Sequence, residues 1–147
     1  MRMSSLKPSL RFKNYRDPWK SKALGQLMDF KNGINAAKSQ YGSGIKFINV
    51  LDILNNDYIT YDRILGLVDV DESTLRKNLV RYGDVLFQRS SETSEDVGRA
   101  NVYLDMEKEA TFGGFVIRGQ KVGEYDPRFI NYLLKTHAAR TEIIKKS

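Results

Sequence analysis

An α+β domain is the fold class this sequence predicts: a small, twisted, mostly antiparallel sheet with flanking short helices and a C-terminal amphipathic helix. Three observations predict it. Strand-like runs outnumber helix-like ones and do not alternate with them, which argues against a doubly wound sheet. One firm helix signal, Asp126-Pro127 ahead of an apolar stripe, stands near the end of the chain. The length of 147 residues, 41% of them hydrophobic, suits a single core.

Residues 1–23 read as an extended basic lead-in that packs on the domain, because Pro8 and Pro18 interrupt any helix and Trp19 offers an anchor. The core follows over residues 24–125. Leu24, Leu27, Met28 and Phe30 suit a short buried strand over 24–30, and Lys31-Asn32-Gly33 supplies turn chemistry. Residues 32–44, with three glycines and two asparagines, are too polar to pack and form a loop that faces solvent or a ligand. Residues 45–53 alternate well enough for a second strand, while 58–70 are rich in β-formers and ambiguous. Asp71 or Ser73 caps a short helix running to Tyr82, with Leu75 and Leu79 one turn apart, and Gly83-Asp84 turns the chain.

Three clearer strands are predicted at 85–89, 100–104 and 111–118. The polar stretch 90–98, in which Thr93 to Asp96 fits a capping box, and an acidic hairpin at 105–109 separate them. Phe87, Phe112, Phe115 and Ile117 are expected to hold the strands in place, and Gly113-Gly114 to permit close backbone packing or a bulge. Over 126–147, Asp126 is the N-cap and Pro127 the first helical residue. Ile130, Leu133, Leu134, His137, Thr141 and Ile144 then share one face of a helix.

The charge is uneven. The net value is +6, from 24 Lys and Arg against 18 Asp and Glu. Residues 1–30 hold seven basic and two acidic side chains, residues 121–147 six and three, whereas 81–120 hold five and seven. A basic surplus raises the on-rate for a polyanion, because Lys and Arg release condensed counterions when they neutralise phosphates. With no cysteine and one histidine, disulfide scaffolds and zinc sites built from Cys and His are excluded, and His137 reads as a packed residue of the helix stripe. The cytoplasm is the expected compartment, because no apolar run approaches the length of a membrane span or a signal-peptide core. Metal-dependent cleavage needs convergent acids, for which Asp29 with Lys31 and Asp105 with Lys108 are only scraps. A methyltransferase needs a cofactor pocket, and Gly42-Ser43-Gly44 does not sit between a strand and a helix as a dinucleotide fingerprint does.

Recognition remains. One polar cluster comprises Lys31, Asn32, Asn35, Lys38, Ser39, Gln40 and Tyr41. A second comprises Gln88, Arg89, Ser90, Ser91, Glu92, Thr93 and Ser94, then Arg99 and Asn101. Arg grips guanine in two places, Asn or Gln does the same for adenine, and Glu92 has the chemistry to accept from a cytosine amino group, so the mixture suits direct readout of base edges. Lys31, Lys38, Arg89 and Arg99 would neutralise the backbone.

At Gly83-Asp84-Val85-Leu86-Phe87-Gln88-Arg89-Ser90-Ser91-Glu92-Thr93 the sequence resembles the specificity subunits of type I restriction-modification systems. Further segments agree in order: Leu10-Arg11-Phe12, Trp19, Leu24-Gly25, Phe30-Lys31-Asn32-Gly33, 44–50, 95–100, Phe112-Gly113-Gly114-Phe115 and 126–134. Lys46 stands where proline is common in the family. The resemblance implies a target-recognition domain that reads one half of a bipartite double-stranded DNA site. Methyltransferase and restriction subunits would perform the reactions with S-adenosylmethionine, ATP and magnesium, so that no cofactor belongs to this chain. It also implies long spacer helices and a second recognition domain, of which 126–147 would be only the start. Docking to a methyltransferase is therefore open, and two other readings stand beside DNA recognition. One is an interaction fragment that binds the methyltransferase through the helix at 126–146 without reading DNA. The other is an enzyme acting on nucleic acid by itself.

Overall fold

The computed structural model describes residues 24–89 and 98–145, with side chains through Ile143. The lead-in with its Trp19 anchor and the capping box at 93–96 lie outside these residues. The chain opens with a single helical turn, α1 (Leu24–Leu27), and then extends as β1 (Met28–Asn32), so the apolar run predicted as one strand is half helix. A 3₁₀ turn (Lys38–Gln40) leads into β2 (Tyr41–Ile48), which begins inside the stretch read as loop. β2 ends earlier than predicted. Asn49 is extended and its N–H donates to the Asp52 carboxylate at 2.9 Å, which starts α2 (Val50–Leu54) where the alternation suggested more strand.

A 3₁₀ turn (Tyr61–Arg63) and β3 (Gly66–Val68) resolve the ambiguous stretch. Asp71 caps α3 (Glu72–Lys77) as read, accepting from the Thr74 N–H at 2.7 Å. The helix stops well short of Tyr82, because the Asn78 side chain turns back to the Thr74 carbonyl at 2.7 Å. β4 (Val85–Gln88) and β5 (Ala100–Val102) match their predictions closely. The third predicted strand does not survive as one piece. Gly113-Gly114 divides it into β6 (Thr111–Phe112) and β7 (Val116–Lys121), which belong to different sheets.

β1, β7, β4 and β5, in that order, form a four-stranded sheet with every pairing antiparallel. β3, β2 and β6 form a second sheet, in which β2 runs antiparallel to β3 and parallel to β6. The α+β class and the mostly antiparallel strands are as predicted, but there are two sheets where one was expected. Alternation along the four-stranded sheet sends Met28, Val85, Phe87, Ala100 and Val102 to one face, against Leu24, Leu27 and the C-terminal helices. Leu86, Val116 and Tyr103 line the other face, against Ile48, Ile53, Ile59, Ile64 and Phe112. Both faces are therefore dry, and each large side chain sealed there contributes roughly 1.5–3 kcal/mol.

The C-terminal prediction holds at its start. Asp126 accepts from the N–H groups of Arg128 and Phe129 at 2.9 and 3.4 Å, Pro127 is the first residue of α4 (Pro127–Leu134), and Ile130, Leu133 and Leu134 are buried. The single helix then breaks. Lys135 is pinned by its ammonium, which donates to the Asp57 carbonyl at 2.6 Å and to Asn101 Oδ1 at 2.9 Å. Thr136 Oγ1 accepts from the Ala139 N–H at 3.2 Å and restarts the chain as α5 (His137–Lys145). The break rotates the second segment, so Ala139 and Ile143 are buried and His137, read as a packed stripe residue, is exposed.

Candidate nucleic-acid interface

One end of the four-stranded sheet gathers segments far apart in sequence. Asn32 faces Ile117 at the end of β1, Gln88 faces Val116 at the end of β4, and β7 starts between them. Residues 33–35, the turn 113–115, Arg89 and residues 98–99 therefore line up along one rim. Three interstrand spacings make that rim roughly 14 Å across, close to the ~12 Å width of a B-DNA major groove.

Hydrogen bonds lace the rim together. The Ile34 N–H donates to the Phe112 carbonyl at 3.0 Å, and the Gly98 N–H donates to the Gln88 carbonyl at 2.9 Å. Arg89 clamps the central turn twice, its backbone N–H donating to the Phe115 carbonyl and its guanidinium to the Gly114 carbonyl, both at 2.9 Å. Asn35 from the first polar cluster and Arg89 from the second both lie against this turn.

Beside it lies an open cavity of about 280 Å³ lined by Asn35, Tyr41, Phe47, Asn49 and the turn 113–115. The Tyr41 ring lies 5.2 Å from that of Phe47, and its hydroxyl accepts from the Ala36 N–H at 3.2 Å, which fixes the wall it forms. The floor is glycine, and two asparagine carboxamides close over it. A Cβ on Gly114 would stand 2.0 Å from Asn35 Oδ1, and one on Gly113 would stand 2.9 Å from Asn49 Oδ1. The close-packing role predicted for Gly113-Gly114 is met in this way. Phe115 corrects its prediction: instead of holding strands it is 68% exposed at the rim of the cavity. Sequence reasoning passed over Phe115 and Asn49. An aromatic immediately after a glycine pair that stops one strand and starts another was the available signal for the first, and Asn49 carried none.

The remaining predicted residues divide. Asn32, Asn35, Lys38, Ser39, Tyr41, Arg89 and Arg99 are exposed. Gln40 spends its amide on the fold, accepting from the Ala37 N–H at 2.8 Å and donating to the Asp69 carbonyl at 3.0 Å. Lys31 points to the opposite sheet face from Phe30 and Asn32 and donates to the Lys77 carbonyl at 2.7 Å. Desolvation, then Arg118 and Lys77, hold its ammonium below the ordinary lysine range. Gln88 is buried in β4 and Asn101 has no exposed surface, so these two belong to the scaffold and not to the rim. A buried amide cannot reach a base edge. Ser90, Ser91, Glu92, Thr93 and Ser94 lie outside the described residues.

Arg99 also borders a larger cleft of about 600 Å³ at the edge of β5, where Lys135, His137 and Arg140 face Asp57. The carboxylate scraps do not assemble. Asp105 accepts from the N–H groups of Tyr61, Glu107 and Lys108 at 2.9–3.0 Å; burial would raise its pKa, but these bonds outweigh it and hold the carboxyl below its usual range. Among the described residues no three His, Asp or Glu side chains gather as metal ligands, and no helix is long and apolar enough to cross a membrane.

Among solved structures, the chain is similar to a chain from a study of complex assembly and conformational transition of the type I R-M system. The TM-score is 0.58 at 16% identity, over 96% of this chain and 34% of that one. It is also similar to the HsdS subunit from Thermoanaerobacter tengcongensis, with a TM-score of 0.55 at 17% identity, over 83% of this chain and 28% of that one. The chain thus spans about a third of the length of the chains it matches. At these identities the likeness is one of fold: the α+β arrangement is shared with the HsdS subunit and with the chain of the type I R-M system. No family model and no curated protein matches the chain.

Proposed function

We propose that this chain is a sequence-specific DNA-binding module of a type I restriction-modification specificity subunit. It reads one half of a bipartite target and directs partner methyltransferase and restriction subunits. The observation that carries the reading is the convergence of Asn32 and Asn35 with Arg89, more than 50 residues away, on one rim about as wide as a major groove. The fold shared with specificity subunits supports it. Base edges are met by Asn32, Asn35, Tyr41 and Arg89, with Ser39 beside them, and phosphates by Lys38 and Arg99. The module itself is non-catalytic and works in the cytoplasm; S-adenosylmethionine, ATP and magnesium act in the partner subunits.

Titration with random-sequence duplex at several salt concentrations tests the reading. With Lys38 and Arg99 on phosphates, log K falls linearly with log salt at a slope of roughly −2. A flat response overturns DNA binding and favours the interaction fragment, although α4 already spends Ile130, Leu133 and Leu134 on its own core. Lys38 accounts for one charge, so Lys38→Ala weakens all duplexes alike and reduces the slope by about one unit. An unchanged slope removes Lys38 from the interface. Arg89→Ala is different in kind, because it costs about 1–2 kcal/mol on a preferred sequence and relaxes the preference there. Equal loss on every duplex would make Arg89 a phosphate contact.

A further inference from the structure

We propose, on the footing of the DNA-reading role, that the cavity between Tyr41 and Phe115 receives a single unstacked nucleobase. Its volume of about 280 Å³ lies just below the ~300–1,000 Å³ usual for small-molecule pockets, which suits one planar ring system. Its walls are aromatic and fixed. Tyr41 is held by Phe47 and the Ala36 amide, and the turn carrying Phe115 is clamped by both the backbone and the guanidinium of Arg89.

A phenylalanine that is 68% exposed on a rigid turn gives up the burial that normally stabilises an aromatic side chain, and in return presents a flat apolar face at the rim. Such faces stack on splayed-out bases or wedge between base steps. The cavity also offers edge-reading groups. Asn35 and Asn49 place carboxamides directly over the Gly113-Gly114 floor, each with the donor and acceptor that a base edge requires. Aromatic walls, two carboxamides and a glycine floor together match the chemistry of a base.

A base already out of its stack is cheaper to seat than a paired one. The test compares a 20-base-pair random duplex with the same duplex carrying one unpaired base, each of the four bases in turn. The wild-type chain is expected to bind at least one bulged duplex about tenfold more tightly than the paired one. Phe115→Ala, at an exposed position that does not threaten folding, abolishes that preference, so that bulged and paired duplexes bind the variant with equal affinity, while Phe115→Tyr retains it. Equal wild-type affinity for all five duplexes, or a preference that survives Phe115→Ala, overturns the base pocket and leaves DNA reading intact. Failure to bind any duplex overturns both.

Discussion

Replacing Asn101 with alanine lowers the stability of the domain by about 3 kcal/mol, which is roughly 6–12 °C in Tm for a chain of this size, and leaves the DNA affinity of the folded protein unchanged. The side chain is completely buried and every polar atom is engaged. Its Nδ2 donates to the carbonyls of Ile53 and Asn56 at 3.2 and 2.8 Å, and its Oδ1 accepts from the Lys135 ammonium at 2.9 Å. Asn101 therefore ties β5 to the end of α2 and to the break between α4 and α5. Truncation strands two carbonyls and removes one acceptor from a cation that burial already holds below the ordinary lysine pKa. Asn101→Asp keeps the oxygen facing Lys135 but sets a carboxylate against two carbonyls, and it is destabilising as well. Denaturant titration should show a lower midpoint at unchanged m-value. A wild-type midpoint with weakened duplex binding would return Asn101 to the interface.

The misreading of Asn101 has a physical origin that applies to the whole fold. Alternation in Ala100-Asn101-Val102 reveals that a strand has two faces, but it does not reveal what covers each face. Asn101 reads as solvent-facing in a single sheet; here the end of α2 lies over it, bringing the carbonyls of Ile53 and Asn56 from more than 40 residues earlier in the chain. No local pattern encodes such a contact. Signals carried within one turn of helix were legible, namely Asp71 and Asp126 as caps and Pro127 at the first helical position. The break at Lys135 was not, because its anchors, Asp57 and Asn101, are distant in sequence.

The rim was legible in composition and illegible in geometry. Polar residue types marked Asn35, Tyr41 and Arg89 correctly as exposed, yet the same criterion swept in Gln40, whose amide holds a turn, and Lys31, which leaves on the opposite face. Hydrophobicity misled in the other direction. Phe115 reads as a core residue by type, and only the glycine pair before it, which moves the chain from one sheet to the other, explains its exposure.

Gly33→Ala is expected to cost about 2 kcal/mol of stability and to weaken binding of every duplex about tenfold. The reason is spatial, not conformational. An ideal Cβ at Gly33 would stand 2.1 Å from the Gly113 carbonyl oxygen and 2.7 Å from that of Phe112, and backbone cannot rotate away as a side chain would. Relief requires the Ile34 N–H to release the Phe112 carbonyl, which it now holds at 3.0 Å, and the Ile34–Gly113 bridge to open. Asn35 then swings off the Gly114 floor, so the cavity and the rim are lost together. Gly25→Ala is the control. It lies in α1 with nothing within 4 Å of its Cβ, and alanine there should leave stability unchanged or raise it by up to about 1 kcal/mol. Denaturation and duplex titration on the same preparations separate the two consequences. An unshifted midpoint for Gly33→Ala would contradict the close approach of the two loops, and a lowered midpoint with full duplex affinity would move the DNA-binding surface away from this end of the sheet.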